Sequence, residues 1–298
     1  NQLLQSFNDF FKKENIVLKK QGKAFSTPNR LIITFNSVSS DIFKKSEEIK
    51  GPSVNTAEKA LEGFIKSHGI KKENIYKKNT EKGEFYFFKT PSKKIKTIDL
   101  LNKNIPLILE KVTWKKSMKW GDYNLYWGRP LKSILAIFHK TKLNFKFQHL
   151  QSSNVTYLDK SFESKTKVFN NYKPYEKYFK KLNIIIDQDL RRKIIENQLN
   201  QISKRKKLNI KVDEKLLEEV SSLVESPSVL LCEFDFKYLE IPKEILIITM
   251  QNHQKYFPTF DQKNNLTNKF LVVSNCKDIK GLVKIGNERV LEARLNDA

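Results

Sequence analysis

The chain has 298 residues, with 56 Lys and Arg against 33 Asp and Glu and a formal net charge of +23. That length accommodates two ordinary domains, and that charge points to a polyanionic partner, nucleic acid before an anionic membrane surface. No apolar run is long enough to span a bilayer, no signal-peptide core opens the chain, and two cysteines, Cys232 and Cys276, make neither a disulfide framework nor a zinc knuckle. The expectation is a cytoplasmic protein with no membrane association. Only seven of the basic residues are Arg, which reads as a compositional bias toward Lys, but phosphates respond to charge whatever its origin.

Leu3, Leu4, Phe7, Phe10 and Phe11 recur at helical spacing and predict an amphipathic first helix. After the turn "TPNR", the β-branched stretch "LIITFNSV" predicts a buried strand. A second helix is expected from about Ala57, with Ala60, Leu61, Phe64 and Ile65 on one face. The strand "EFYFFKT" follows, then a longer helix through "TIDLLNKNIPLILEKV", expected to bend at Pro106, where a backbone donor is missing. This alternation describes an α+β layer and sets a first domain at residues 1–113.

The segment "WKKSMKWGDYNLYWGRP" carries all three tryptophans among basic residues and opens the expected second domain, 114–298. The polar stretch from Gln151 to Lys173 predicts a linker or irregular loop. A helix from Asp187 to Lys207 is expected to turn Leu190, Ile194, Ile195, Leu199 and Ile202 inward. Another begins after the N-cap Asp213, with Leu216, Leu217, Val220, Leu223 and Val224 as its stripe and Pro227 as its stop. "SVLLCEF" predicts a strand, and Pro242 starts a helix "KEILIITMQNH" whose apolar face runs from Ile245 to Met250. "KYFPTF", the turn "DQKNN" and "FLVVSN" predict a hairpin. The last residues, "NERVLEARLNDA", carry a helical pattern to the end, and the expectation is a fragment of a longer polypeptide.

His68, His139, His149 and His253 are scattered without metal-ligand spacing, and no glycine-rich phosphate loop is present. Neither a metal site nor a catalytic residue is assigned; a buried Cys232, a loop Cys276 and solvated Glu218 and Glu219 are the expected settings. The tryptophan-lysine segment admits two readings: aromatics that stack on bases while Lys and Arg meet phosphates, or tryptophans that fill a core under outward lysines. Arg30, Arg129, Arg289 and Arg294 are placed for bidentate contact with phosphate or carboxylate, with a structural ion pair as the alternative for Arg30 and Arg129.

Several stretches together resemble the β subunit of the bacterial heterotetrameric (α2β2) glycyl-tRNA synthetase: "STPNRLIITF", "EIKGPSVNTA" with "KALEGFIKSHGI", "KGEFYFF", "KSMKWGD" with "GRPLKSILAIF", "LLEEVSSLVESP", "ITMQNHQKYFPTFD" and "GNERVLEARLNDA". The resemblance implies that an α subunit holds the class II active site, using ATP and Mg, while this chain, with no cofactor of its own, helps to bind tRNA(Gly) and to complete the tetramer. None of the seven arginines is followed two positions on by Glu, as the class II Arg-x-Glu signature requires. The family's N-terminal part in turn resembles the B3/4 region of the phenylalanyl-tRNA synthetase β subunit, placed at 114–298; the family's HD-type and anticodon-binding regions have no counterpart in this sequence. The chain departs from the family's pattern near Ala57 and Tyr157, where residues are expected to be missing, and at Ser226, where the family often has Trp.

The expected tRNA or partner contacts are Lys119, Trp120, Arg129, His253, Gln254, Lys255, Tyr256, Arg289 and Arg294, with Trp120 and Tyr256 as stacking residues. Two alternatives stay open: a hydrolase that edits mischarged tRNA, in which His253 would matter, and a module that serves assembly alone.

Overall fold

The computed structural model describes residues 1–158 and 166–297. The chain forms two compact α+β units, one of Asn1–Gln21 with Phe35–Asn170 and one of Gly22–Thr34 with Asn171–Ala298. The sequence-expected division at 113/114 runs through the interior of the first unit. The reason is the core: Leu125, Trp127 and Phe147 join the same cluster as Phe10, Phe11, Leu101, Ile105 and Ile108. The centre of the expected linker, 159–165, lies outside the described residues. Among the described residues no helix is long and apolar enough to cross a membrane.

In the first unit, helix α1 (Gln2–Lys13) buries Phe10 and Phe11, as the helical spacing predicts. Helix α2 (Glu58–His68) buries no residue fully. It lies on a three-stranded antiparallel sheet ordered Glu48–Ser53, Gly83–Lys89, Ile75–Thr80. The Phe64 ring of α2 approaches the sheet at Phe88, 5.7 Å between centroids. It also reaches Gly51, where a Cβ would stand 2.7 Å from the ring, so that position needs a residue without a side chain. Helix α3 (Thr97–Glu110) continues through Pro106 and buries Leu101, Ile105 and Ile108.

In the second unit, helices α4 (Tyr172–Lys181), α5 (Gln188–Lys206), α6 (Glu214–Leu223), α7 (Lys243–Ile248) and α8 (Leu282–Asn296) accompany a four-stranded antiparallel sheet. Its order is Asn209–Ile210, Phe257–Phe260, Leu266–Ser274, Ser228–Glu233. Asp213 caps α6 as expected and Asp187 caps α5, each accepting two backbone N–H bonds. Glu288 and Glu292 of α8 accept backbone N–H bonds from Glu233 and Asp235, a device that blunts the end of an exposed strand.

The inward stripes differ from those expected at three places. Leu190 is 49% exposed and Arg191, the next residue, is fully buried. Leu223, Ile245 and Ile248 also face outward, while Ser221, Leu246 and Met250 are buried. Arg191 decides the first difference. Its guanidinium donates to the carbonyls of Ser221 at 2.6 Å, Ile185 at 2.7 Å, Ile186 at 3.3 Å and Ser26 at 2.9 Å. Burial pushes its pKa below the ordinary arginine value, opposed by the charges of Glu225 and Asp187.

The hairpin Lys23–Thr27 and Arg30–Thr34 is held at its turn by the same region. Glu225 accepts from the Thr27 hydroxyl, from Asn29 Nδ2 at 3.0 Å and from Arg30 at 2.9 Å. The Arg30 guanidinium also lies 4.5 Å from the centre of the Phe179 ring. Of the two readings for Arg30, the structure selects the ion pair.

Replacing Arg191 by Met should strand these carbonyls and the nearby carboxylate, at a cost of about 3–5 kcal/mol, measured as a lower urea midpoint. Gly51→Ala should also destabilise the chain. Gly63→Ala, on the open side of α2 with nothing within 4 Å of the new methyl, should stabilise it by about 0.5–1 kcal/mol.

Candidate nucleic-acid interface

The expected contact residues lie on or beside a ribbon of the first unit and, in the second, at the corner after α7 and on α8. In the first unit, a short antiparallel ribbon pairs Met118 with Trp127 and Lys119 with Tyr126. The turn between them passes through Gly121 at φ +65°. Trp127 is buried, Trp114 packs 4.9 Å from it, and Trp120 Nε1 donates to the Trp127 carbonyl at 2.8 Å. A Cβ at Gly128 would stand 2.7 Å from Trp114, so "WGRP" is a packing signature. Trp127 fills the core with Trp114 and Trp120 partly buried against it, and Trp120 is held in place by its bond to the Trp127 carbonyl.

Alternation along the ribbon turns other side chains outward. Tyr126 is 63% exposed opposite Lys119, and Lys115, Lys116 and Arg129 are exposed beside the same segment. Tyr126 was not anticipated. Its only sequence signal was the "YW" pair, in which one ring must face outward if the other faces in. Tyr123 stacks on His149, 3.6 Å between centroids. The surplus charge is also concentrated in this unit: it holds 31 basic against 15 acidic residues, +16 of the chain's +23.

The second group stands at the corner after α7, where Thr249–Gln254 winds as a π-helix and Lys255 closes it at φ +62°. His253 is exposed and Gln254 half-buried. Lys255 pairs with Glu219 of α6 at 3.0 Å. Tyr256 is 5% exposed, stacks on Phe270 at 5.0 Å between centroids and donates to Asn287 Oδ1 of α8 at 2.7 Å. Burial raises its phenol pKa to about 12. The ring expected to stack on a base is a core residue, because the π-turn redirects the chain inward.

Arg289 and Arg294 are exposed on α8. Arg289 lines a cleft of about 480 Å³ together with Glu233, Asp235, Glu288 and Glu292, and those carboxylates oppose a polyanion there. Among the described residues no group of three or more His, Cys, Asp or Glu is arranged to hold a metal ion. Cys232 is fully buried, and burial lifts its thiol pKa to about 12, whereas Cys276 is exposed. In the native chain a thiol reagent at pH 8 should titrate Cys276 quickly, with Cys232 reacting only after unfolding. Tyr256→Phe should cost about 1 kcal/mol through loss of the Asn287 bond, seen in urea denaturation, and leave RNA affinity unchanged.

The motifs "TPNR" and "VESP" meet at Glu225, and "GNERV" supplies the Asn287 that receives Tyr256. The family model described as glycyl-tRNA synthetase beta subunit matches residues 1–298. The chain is 39% identical over 298 residues to the glycine–tRNA ligase beta subunit of Rickettsia canadensis (strain McKiel), covering 99% of this chain and 44% of that protein. It is 38% identical over 296 residues to the same subunit of Rickettsia akari (strain Hartford), with the same coverage. The Rickettsia prowazekii (strain Madrid E) subunit is 37% identical over 296 residues, again covering 99% of this chain and 44% of that protein. The chain thus spans less than half the length of the curated relatives it matches, and it belongs to the glycyl-tRNA synthetase beta subunit family.

Proposed function

We propose that the chain acts as part of a glycine–tRNA ligase, binding tRNA(Gly) and helping to assemble an α2β2 enzyme in the cytoplasm. The match of the whole chain to the beta subunit family carries this reading. The +16 balance of the first unit and the exposed Lys119, Tyr126 and Arg129 support an RNA contact on its 115–129 surface. The corner His253, Gln254 and Lys255, with Arg294, is proposed as a second contact, to tRNA or to the α subunit. Lys255 reaches such a partner only by giving up Glu219.

ATP and Mg belong to the complete enzyme in this proposal. The residues present do not fit them: no Arg-x-Glu pair and no glycine-rich phosphate loop occur in the sequence, and no cluster of metal-ligating side chains occurs among the described residues. Adenylate formation is assigned in this proposal to the α subunit, as the family resemblance implies. We also infer a B3/4-like architecture for the part of 114–298 that lies in the second unit, residues 171–298, supported by the helices that accompany its antiparallel sheet.

With the full β subunit assembled with its α partner, Lys119→Glu combined with Arg129→Glu should weaken tRNA(Gly) binding roughly tenfold. It should also lower the slope of log affinity against log salt by about two. Unchanged affinity and slope would remove the 115–129 surface from the RNA contact.

A further inference from the structure

The three-stranded sheet of the first unit has a second face, opposite α2. Cross-strand pairing puts Lys50, Phe87 and Tyr76 side by side on it, and Phe85 and Lys78 side by side one step along. Phe85 and Phe87 are two residues apart on the central strand and so point the same way. The Lys50 ammonium lies 3.4 Å from the centre of the Phe85 ring, and Lys78 lies 5.5 Å from that of Phe87. Tyr76 is stacked along Phe87 at 6.3 Å and 25°. Lys50 and Lys78 are exposed, while Phe85 and Tyr76 are half-buried. The carboxylate of Glu48 on this face is engaged by both Lys78 and Tyr76.

We propose that this face is a binding site for unpaired nucleotides of an RNA, with bases stacking on Phe85 and Tyr76 and phosphates meeting Lys50 and Lys78. An apolar protein partner would have to strip water from the lysines without neutralising them. A nucleotide strand supplies both needs of the surface at once, a flat π-face for each ring and an anion for the Lys50 ammonium, while Lys78 meets a phosphate by exchanging it for Glu48. The lysines now covering the rings are held by contacts that a base and a phosphate replace in kind. Duplex RNA keeps its bases stacked on one another and can use only the charges. The inference rests on the tRNA reading for the class of ligand alone; the site is separate from the 115–129 surface.

The test uses the full chain and three probes in fluorescence anisotropy or competition: a single-stranded 12-mer of oligo(U), a 12-base-pair RNA duplex and inorganic polyphosphate. Single-stranded RNA should bind more tightly than the duplex. Phe85→Ala should weaken it about tenfold and leave polyphosphate unaffected, and Phe85→Tyr should restore it. Lys50→Ala should weaken both oligo(U) and polyphosphate. Photo-cross-links from 4-thiouridine RNA should map to residues 76–87, a readout independent of any stability change in the variants. Equal binding of duplex and single strand, parental affinity in Phe85→Ala, or cross-links confined to other segments would each overturn the proposal. If those results came with a normal loss of tRNA affinity in the Lys119 and Arg129 variant, this site alone would fall and the tRNA reading would stand.

Discussion

The second unit depends on a buried guanidinium. Arg191 gathers carbonyls from the hairpin at Ser26, from the loop before α5 at Ile185 and Ile186, and from α6 at Ser221. Three stretches distant in sequence are thereby tied to one rigid planar group, which can satisfy several acceptors with one side chain. Glu225 is the matching anion. It closes the hairpin turn through Thr27, Asn29 and Arg30, and its own backbone donates to Asn275 Oδ1 and accepts from Ile185 N–H. A buried charge must be paired and hydrogen-bonded to be tolerated, and this one is surrounded on all those counts. The chain can therefore leave the first unit at Gly22, contribute a short hairpin to the second, and return after Thr34.

A different constraint shapes the first unit. It is rich in lysine and aromatic rings, and two of its glycines stand where a ring approaches the backbone: Gly51 under Phe64 and Gly128 under Trp114. Rings also pack on one another there, Trp114 on Trp127 and Phe64 on Phe88, and lysine stems cover what remains. The result is a surface on which ammonium groups and ring faces lie within a few ångströms, as at Lys50 over Phe85. Charge and stacking area are then available together, the combination that RNA recognition uses.

Much of the scaffold was legible from local pattern. Phe10 and Phe11 on α1, the cap Asp213, and the hairpin at the "DQKNN" turn all follow from periodicity and turn chemistry. Periodicity failed where a polar side chain took a core position. Leu190 is the apolar residue and Arg191 the polar one, yet Arg191 points inward because distant carbonyls wait for it there. The basic-aromatic segment stands out in the sequence, but which of its rings faces outward does not: Trp120 packs partly buried against the core, while Tyr126 faces out.

Sequence alone determined the charge of this protein, the type of most of its elements and, through the order of its motifs, the family it resembles. Those are properties of composition and of neighbours a few residues apart. Tertiary structure alone decided that "TPNR" and "VESP" are two halves of one buried ion pair, that Tyr256 is a core phenol bonded to Asn287, and that Arg289 stands beside carboxylates. Burial and partnership across many residues set those roles, and no local period encodes them.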